Sequence, residues 1–183
     1  MVFITGDTHG DWTRLKHPNL RNYTLTSEDT IIVAGDFGIW DASARQRKEL
    51  NSLARCPYTI LFCDGNHENF DMLENDFPIV DFKGGKAHQI RENIFHLMRG
   101  EVFSIEEKKY FAFGGARSHD IKDGIYDRAT FSSDEEFINA VTQAQTRAGT
   151  GLPNTPNCCS LVSLRKQACL VFAPYQRRIL SRD

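Results

Sequence analysis

Five side chains suited to metal or phosphate chemistry stand in three short glycine-containing segments. Asp7 and His9 lie in Gly6-Asp7-Thr8-His9-Gly10, Asp36 in Gly35-Asp36-Phe37-Gly38, and Asn66 and His67 in Gly65-Asn66-His67-Glu68. Carboxylate, imidazole and amide oxygen are together the donor types that bind divalent manganese, iron or zinc. Asp7 and His9 are two residues apart in a turn, so both can reach one ion. A carboxylate set between two ions, as Asp36 would be, can bridge them, and Asn66 can offer its side-chain oxygen to the second. The neighbouring glycines let the backbone turn sharply and leave room for a phosphate.

Each segment follows an apolar run. Val2 to Thr5, Thr30 to Ala34 and Tyr58 to Cys63 read as buried strands that end in these turns. Ala42 to Arg55 carries Leu50, Leu53 and Ala54 at helical spacing, with Asp41 or Ser43 as its cap, and Asp11 to Lys16 fits a short helix. Strands alternating with helices predict a largely parallel sheet, whose C-terminal strand edge is where ligands bind. The closely spaced runs Ile94 to Met98, Glu101 to Ile105 and Lys109 to Phe113 predict an antiparallel meander, with turns at Gly100 and at Glu106-Glu107-Lys108. Ser133 with Glu136 is a capping-box pattern opening a helix from Asp134 to Gln145. Beyond Thr150 only Ala168 to Ala173 is an apolar run.

The three motifs resemble the first three signatures of the calcineurin-like metallophosphoesterase family, over about residues 2–113. The resemblance implies an α/β (mixed α+β) fold, a β-sandwich of two mixed sheets flanked by helices. It implies hydrolysis of a phosphate mono- or diester by a metal-bridged hydroxide. Asp7 and His9 would bind the first metal, Asp36 would bridge, and Asn66 would bind the second. His67 would not be a ligand but would stabilise the transition state or protonate the leaving oxygen. The implied cofactors are two divalent ions (Mn2+, Fe2+ or Zn2+), and the partner is a phosphate-ester substrate, with nucleic acid left open.

The family's later histidine motifs, a single histidine and Gly-His-x-His, have no counterpart here. The six histidines are His9, His17, His67, His88, His96 and His119, and none follows His119. His88 and His96 read as half-exposed strand residues. His119 is weighed as a substitute ligand and Arg117 as a phosphate contact, both in Gly114-Gly115-Ala116-Arg117-Ser118-His119. The second metal site is therefore expected to be weakened and the sandwich incomplete at its C-terminus, with an apolar edge or face of the second sheet exposed. A catalytically weak or inactive truncated member, binding metal or phosphate without turnover, is the alternative.

The chain has 183 residues, 40% hydrophobic and 25% charged, with net charge −2, the profile of an ordinary globular protein without a bias toward nucleic acid. Charge nevertheless changes sign along it. After Gln145 stand six basic residues and one acidic one, together with Cys158, Cys159 and Cys169. This divides the chain into a phosphoesterase part, residues 1–145, and an atypical tail, residues 146–183, of altered frame, foreign origin or disorder. No apolar run reaches the length of a membrane span, no secretory leader is visible, and the odd cysteine count fits reduced thiols, so a cytoplasmic protein is expected.

Overall fold

Three β-branched and aromatic runs pair in parallel in the computed structural model: β1 (Val2–Gly6), β2 (Thr30–Ala34) and β3 (Thr59–Cys63). The structure describes residues 1–16, 19–20, 23–65, 67–114 and 169–173. Register is level across these strands. Val2 faces Thr30 and Thr30 faces Thr59, while Gly6 faces Ala34 and Ala34 faces Cys63. The level register brings the residues that follow each strand to one edge of the sheet.

The connections follow the expected chemistry. α1 (Ala44–Leu53) starts at Ser43, whose Oγ accepts a hydrogen bond from the Gln46 N–H at 3.1 Å. It buries Leu50 and Leu53. Asp11 Oδ1 accepts from the Thr13 N–H ahead of a single 3-10 turn, Thr13–Leu15. α2 (Phe70–Asn75), which periodicity does not reveal, is capped by Asn69 immediately after the third motif.

The middle of the chain departs from a simple meander. β4 (Ile79–Phe82) and β5 (Gly85–Arg91), both unforeseen, form an antiparallel pair. β6 (Ile94–Leu97) pairs antiparallel with β5 but parallel with β3, completing a six-stranded mixed sheet of order β1-β2-β3-β6-β5-β4. The run starting at Ile94 therefore belongs to the first sheet, not to a meander with the runs after it. All four of its residues are buried, which suits an interior strand covered on both faces. β7 (Val102–Ile105) and β8 (Lys108–Phe113) form a hairpin whose turn residues Glu106 and Glu107 both have positive φ, 48° and 61°. That backbone matches the right-handed strand twist. β9 (Cys169–Ala173) pairs antiparallel with β8, giving a second sheet of order β7-β8-β9. The tail's apolar run thus adds a strand to the second sheet beside β8. The predicted helix from Asp134 to Gln145 lies outside the described residues.

Strand alternation sorts the interior into two layers. Ile31, Val33, Ile60 and Phe62 point to one side, where they meet Leu50, Leu53 and Leu73 of the helices. Ile32, Leu61 and Cys63 point to the other, where they meet Phe103, Ile105, Tyr110 and Ala112 of the second sheet. The result is a sheet-on-sheet sandwich with helices on one outer face.

Candidate metal centre

The turns after β1 and β2 are bound to each other through the backbone. The Thr8 and His9 N–H groups both donate to the Asp36 carbonyl, at 3.0 and 2.8 Å, and Gly10 N–H donates to the Phe37 carbonyl at 3.0 Å. Thr8 Oγ1 and Trp12 Nε1 each donate to that same Phe37 carbonyl at 2.8 Å. Contact is so close at Gly38, φ 93°, that a Cβ there would lie 2.1 Å from the Gly10 nitrogen. His9 and Asp36 themselves adopt left-handed φ of 47° and 36°. Such strain persists only where surrounding bonds over-determine it, and it concentrates at functional sites.

The third turn joins this pair from β3. His67 N–H donates to Asp36 Oδ1 at 2.9 Å. Fully buried Glu68 accepts from the Gly38 and Ile39 N–H groups, the latter at 2.8 Å, and Trp40 Nε1 donates to the His67 carbonyl at 3.1 Å. A Cβ on Gly65 would sit 1.8 Å from Asp36 Oδ1, so glycine is required there by close approach.

Three of the predicted ligands converge. One ligand atom each from Asp7, His9 and Asp36 lies within 4.8 Å of the others, and no other such group of His, Cys, Asp and Glu occurs among the described residues. His9 Nε2 stands 3.6 Å from Asp36 Oδ2 and 3.9 Å from Asp7 Oδ2. The His9 and His67 rings meet edge to face, centroids 5.4 Å apart. Asp36 is buried, whereas the His9 side chain is about half exposed and opens the site to solvent. Burial, then the neighbouring Asp36 charge, raises the Asp7 pKa above its ordinary value. Asp7 Oδ1 is moreover buried with no hydrogen-bond partner among the described residues. A divalent cation would satisfy that oxygen and offset the repulsion of two facing carboxylates, so the residues fit a metal. Asn66, the proposed ligand of a second ion, lies outside the described residues, as do His17, Arg117 and His119.

Residue types and geometry thus agree with a metallophosphoesterase site, and the calcineurin-like phosphoesterase family model matches residues 1–148. The chain belongs to the calcineurin-like phosphoesterase family. Neither a curated protein nor a solved structure matches it.

Next to the third motif lies a second polar group that sequence reasoning missed. His88 and His96 are not half-exposed but buried, 4% and 6% accessible, because β5 and β6 are interior strands of the first sheet. Their rings stack with centroids 5.3 Å apart and their Nδ1 atoms 3.0 Å apart. His96 Nε2 lies 3.0 Å from Asp64 Oδ1, and Arg99 Nε donates to Asp64 Oδ2 at 2.8 Å, with Nη2 donating to the same oxygen. Burial alone would raise the Asp64 pKa. The Arg99 guanidinium and then His96 outweigh it and hold the carboxyl at about 2. Glu68 contrasts with it. Its burial outweighs the two backbone donors and pushes it well above the ordinary carboxylate range. The signal for Asp64 was its place directly before Gly65. For His96 and Arg99 no local signal exists, because they reach Asp64 across 32 and 35 residues.

Proposed function

We propose that this chain is a metal-dependent phosphoesterase that hydrolyses a phosphate mono- or diester. The carrying observation is the convergence of Asp7, His9 and Asp36 within 4.8 Å at the C-terminal edge of the parallel strands. Asp7, His9 and Asp36 would hold the first ion, with Asp36 and Asn66 holding a weaker second. Mn2+, Fe2+ and Zn2+ all suit these donors. When bound, such ions supply Lewis acidity and a nucleophilic water at neutral pH.

The chain's own residues divide the remaining work. The amides of Thr8 and His9, which donate to the Asp36 carbonyl, and that of Gly10, which donates to the Phe37 carbonyl, tie the first two turns together, so the ligands need not reorganise. The bond from His67 N–H to Asp36 ties the third turn to the second, and the His67 ring meets His9 edge to face. From there His67 donates a proton or stabilises the transition state, a role worth on the order of 10²–10⁴-fold in rate. The charge break after Gln145 supports a division into residues 1–145 and an atypical tail. The lack of any histidine after His119, and so of Gly-His-x-His, keeps a second reading, a family member that binds metal or phosphate with little turnover.

The test is hydrolysis of p-nitrophenyl phosphate and bis-p-nitrophenyl phosphate with added Mn2+, comparing the chain with Asp36→Asn. Activity abolished in the variant supports the enzyme reading, and the preferred ester separates monoesterase from diesterase. A folded protein without activity in either form leaves the second reading.

A further inference from the structure

Trp40 is one of the large side chains that the fold leaves outside its core. It is 42% exposed, whereas Trp12 is 2% exposed. Its indole is nevertheless held firmly. Nε1 donates to the His67 carbonyl, and ring atoms Cη2 and Cζ3 lie 3.4 Å from where a Cβ on Gly10 would stand. Gln46 Oε1 accepts from the Trp40 N–H at 3.1 Å, and Asn69 Nδ2 donates to its carbonyl at 2.9 Å. A solvent-facing aromatic plate is thus fixed beside His9 and His67.

The plate forms one wall of a cleft of about 450 Å³ that begins at His9, within the size range of small-molecule sites. Its rim carries Asp11, Asp41 and Glu49 together with Arg45, and Lys16 pairs with Glu49 at 3.2 Å. Carboxylates at the rim accept hydrogen bonds from ring N–H and exocyclic amines. Local turns occupy Oδ1 of Asp11 and of Asp41, and each carboxylate keeps a second oxygen.

We propose that this cleft binds the nucleoside part of a nucleotide substrate, its base stacked on Trp40 and its amino edge toward the acidic rim. The assignment rests on the phosphoesterase reading for the identity of the reacting group, but the binding itself requires no metal. A bare phenyl ring, as in a phosphotyrosine, would stack yet leave the rim unused.

The experiment is isothermal titration of the metal-free full chain with adenosine, uridine, ribose and phenol. Adenosine should bind about tenfold or more tighter than ribose, from the usual strength of base stacking on one aromatic. Uridine, which keeps a ring N–H but lacks the amine and stacks a smaller ring, should bind more weakly than adenosine, and phenol should not match it. Trp40→Ala should remove most of the adenosine advantage, whereas Trp40→Phe, which keeps a ring, should retain most of it. Circular dichroism of both variants must match the parent. If Trp40→Ala alone does not fold, the outcome rests on the parent's selectivity and on Trp40→Phe. Equal binding of adenosine and ribose, an unchanged Trp40→Ala, or a preference for phenol would overturn the proposal. Absence of p-nitrophenyl phosphate hydrolysis would instead count against the phosphoesterase reading and leave the titration result standing.

Discussion

Two polar clusters flank the third motif, and they are built on opposite electrostatic plans. Asp7, His9 and Asp36 form an open group with two facing carboxylates, two left-handed residues and an unpartnered buried oxygen. Asp64, His96, His88 and Arg99 form a closed group in which a guanidinium already neutralises the carboxylate. The open cluster sets two carboxylates face to face, an arrangement that a bound cation would relieve. The closed cluster carries its own and is arranged to hold the β3 turn against β6. Charge removal should therefore have opposite signs at the two sites.

The largest effect is expected at the closed cluster. Arg99→Leu would leave buried Asp64 with His96 but without its guanidinium, which costs about 3 kcal/mol. Arg99 is 30% exposed on its side chain, so water limits the loss to that low end. Urea unfolding measures it, and an unchanged midpoint would mean that the pair contributes nothing. Next in size is metal addition. Mn2+ at a hundred times its dissociation constant should stabilise the parent by about 2.7 kcal/mol. It should stabilise Asp36→Asn far less, read as a shift in melting temperature.

Asp7→Asn sharpens the contrast. Removing a carboxylate disfavoured by burial and by Asp36 should stabilise the metal-free protein by about 0.5–2 kcal/mol, while weakening Mn2+ binding. A destabilised metal-free variant would show that the open cluster is not electrostatically strained. The smallest effect is a pH dependence. Burial, then His96, holds the His88 pKa below its ordinary value. Folded His88 stays neutral where the unfolded chain takes up a proton. Its contribution is therefore complete above about pH 6.5 and is lost as pH falls through the lower folded value. His88→Gln should flatten the stability slope below pH 6.5. It should leave intact the separate acid loss from Asp64, which sets in below about pH 4 and runs toward pH 2.

How much was legible beforehand follows from the range of each interaction. β1, β2, β3 and α1 were readable because apolar runs, a Ser43 cap and glycine turns are local signals. β4 and β5 were not, since their burial alternates weakly and they are held by each other and by β6. The parallel pairing of β6 with β3 was equally hidden. Residue types at Ile94 to Leu97 state that a strand is buried, not which neighbour it takes. The same limit made His88 and His96 look half-exposed.

The sequence alone carried the family resemblance and three candidate ligands that converge, Asp7, His9 and Asp36. Coordination chemistry needs those donors, and parallel strands of equal register bring successive turns to one edge. Tertiary structure alone decided how each carboxylate is balanced. Asp7 and Asp64 each follow a buried strand in the sequence. Only folding sets Arg99 and His96 against Asp64 and leaves Asp7 facing Asp36, because Coulomb and desolvation energies depend on distances that the chain closes across tens of residues.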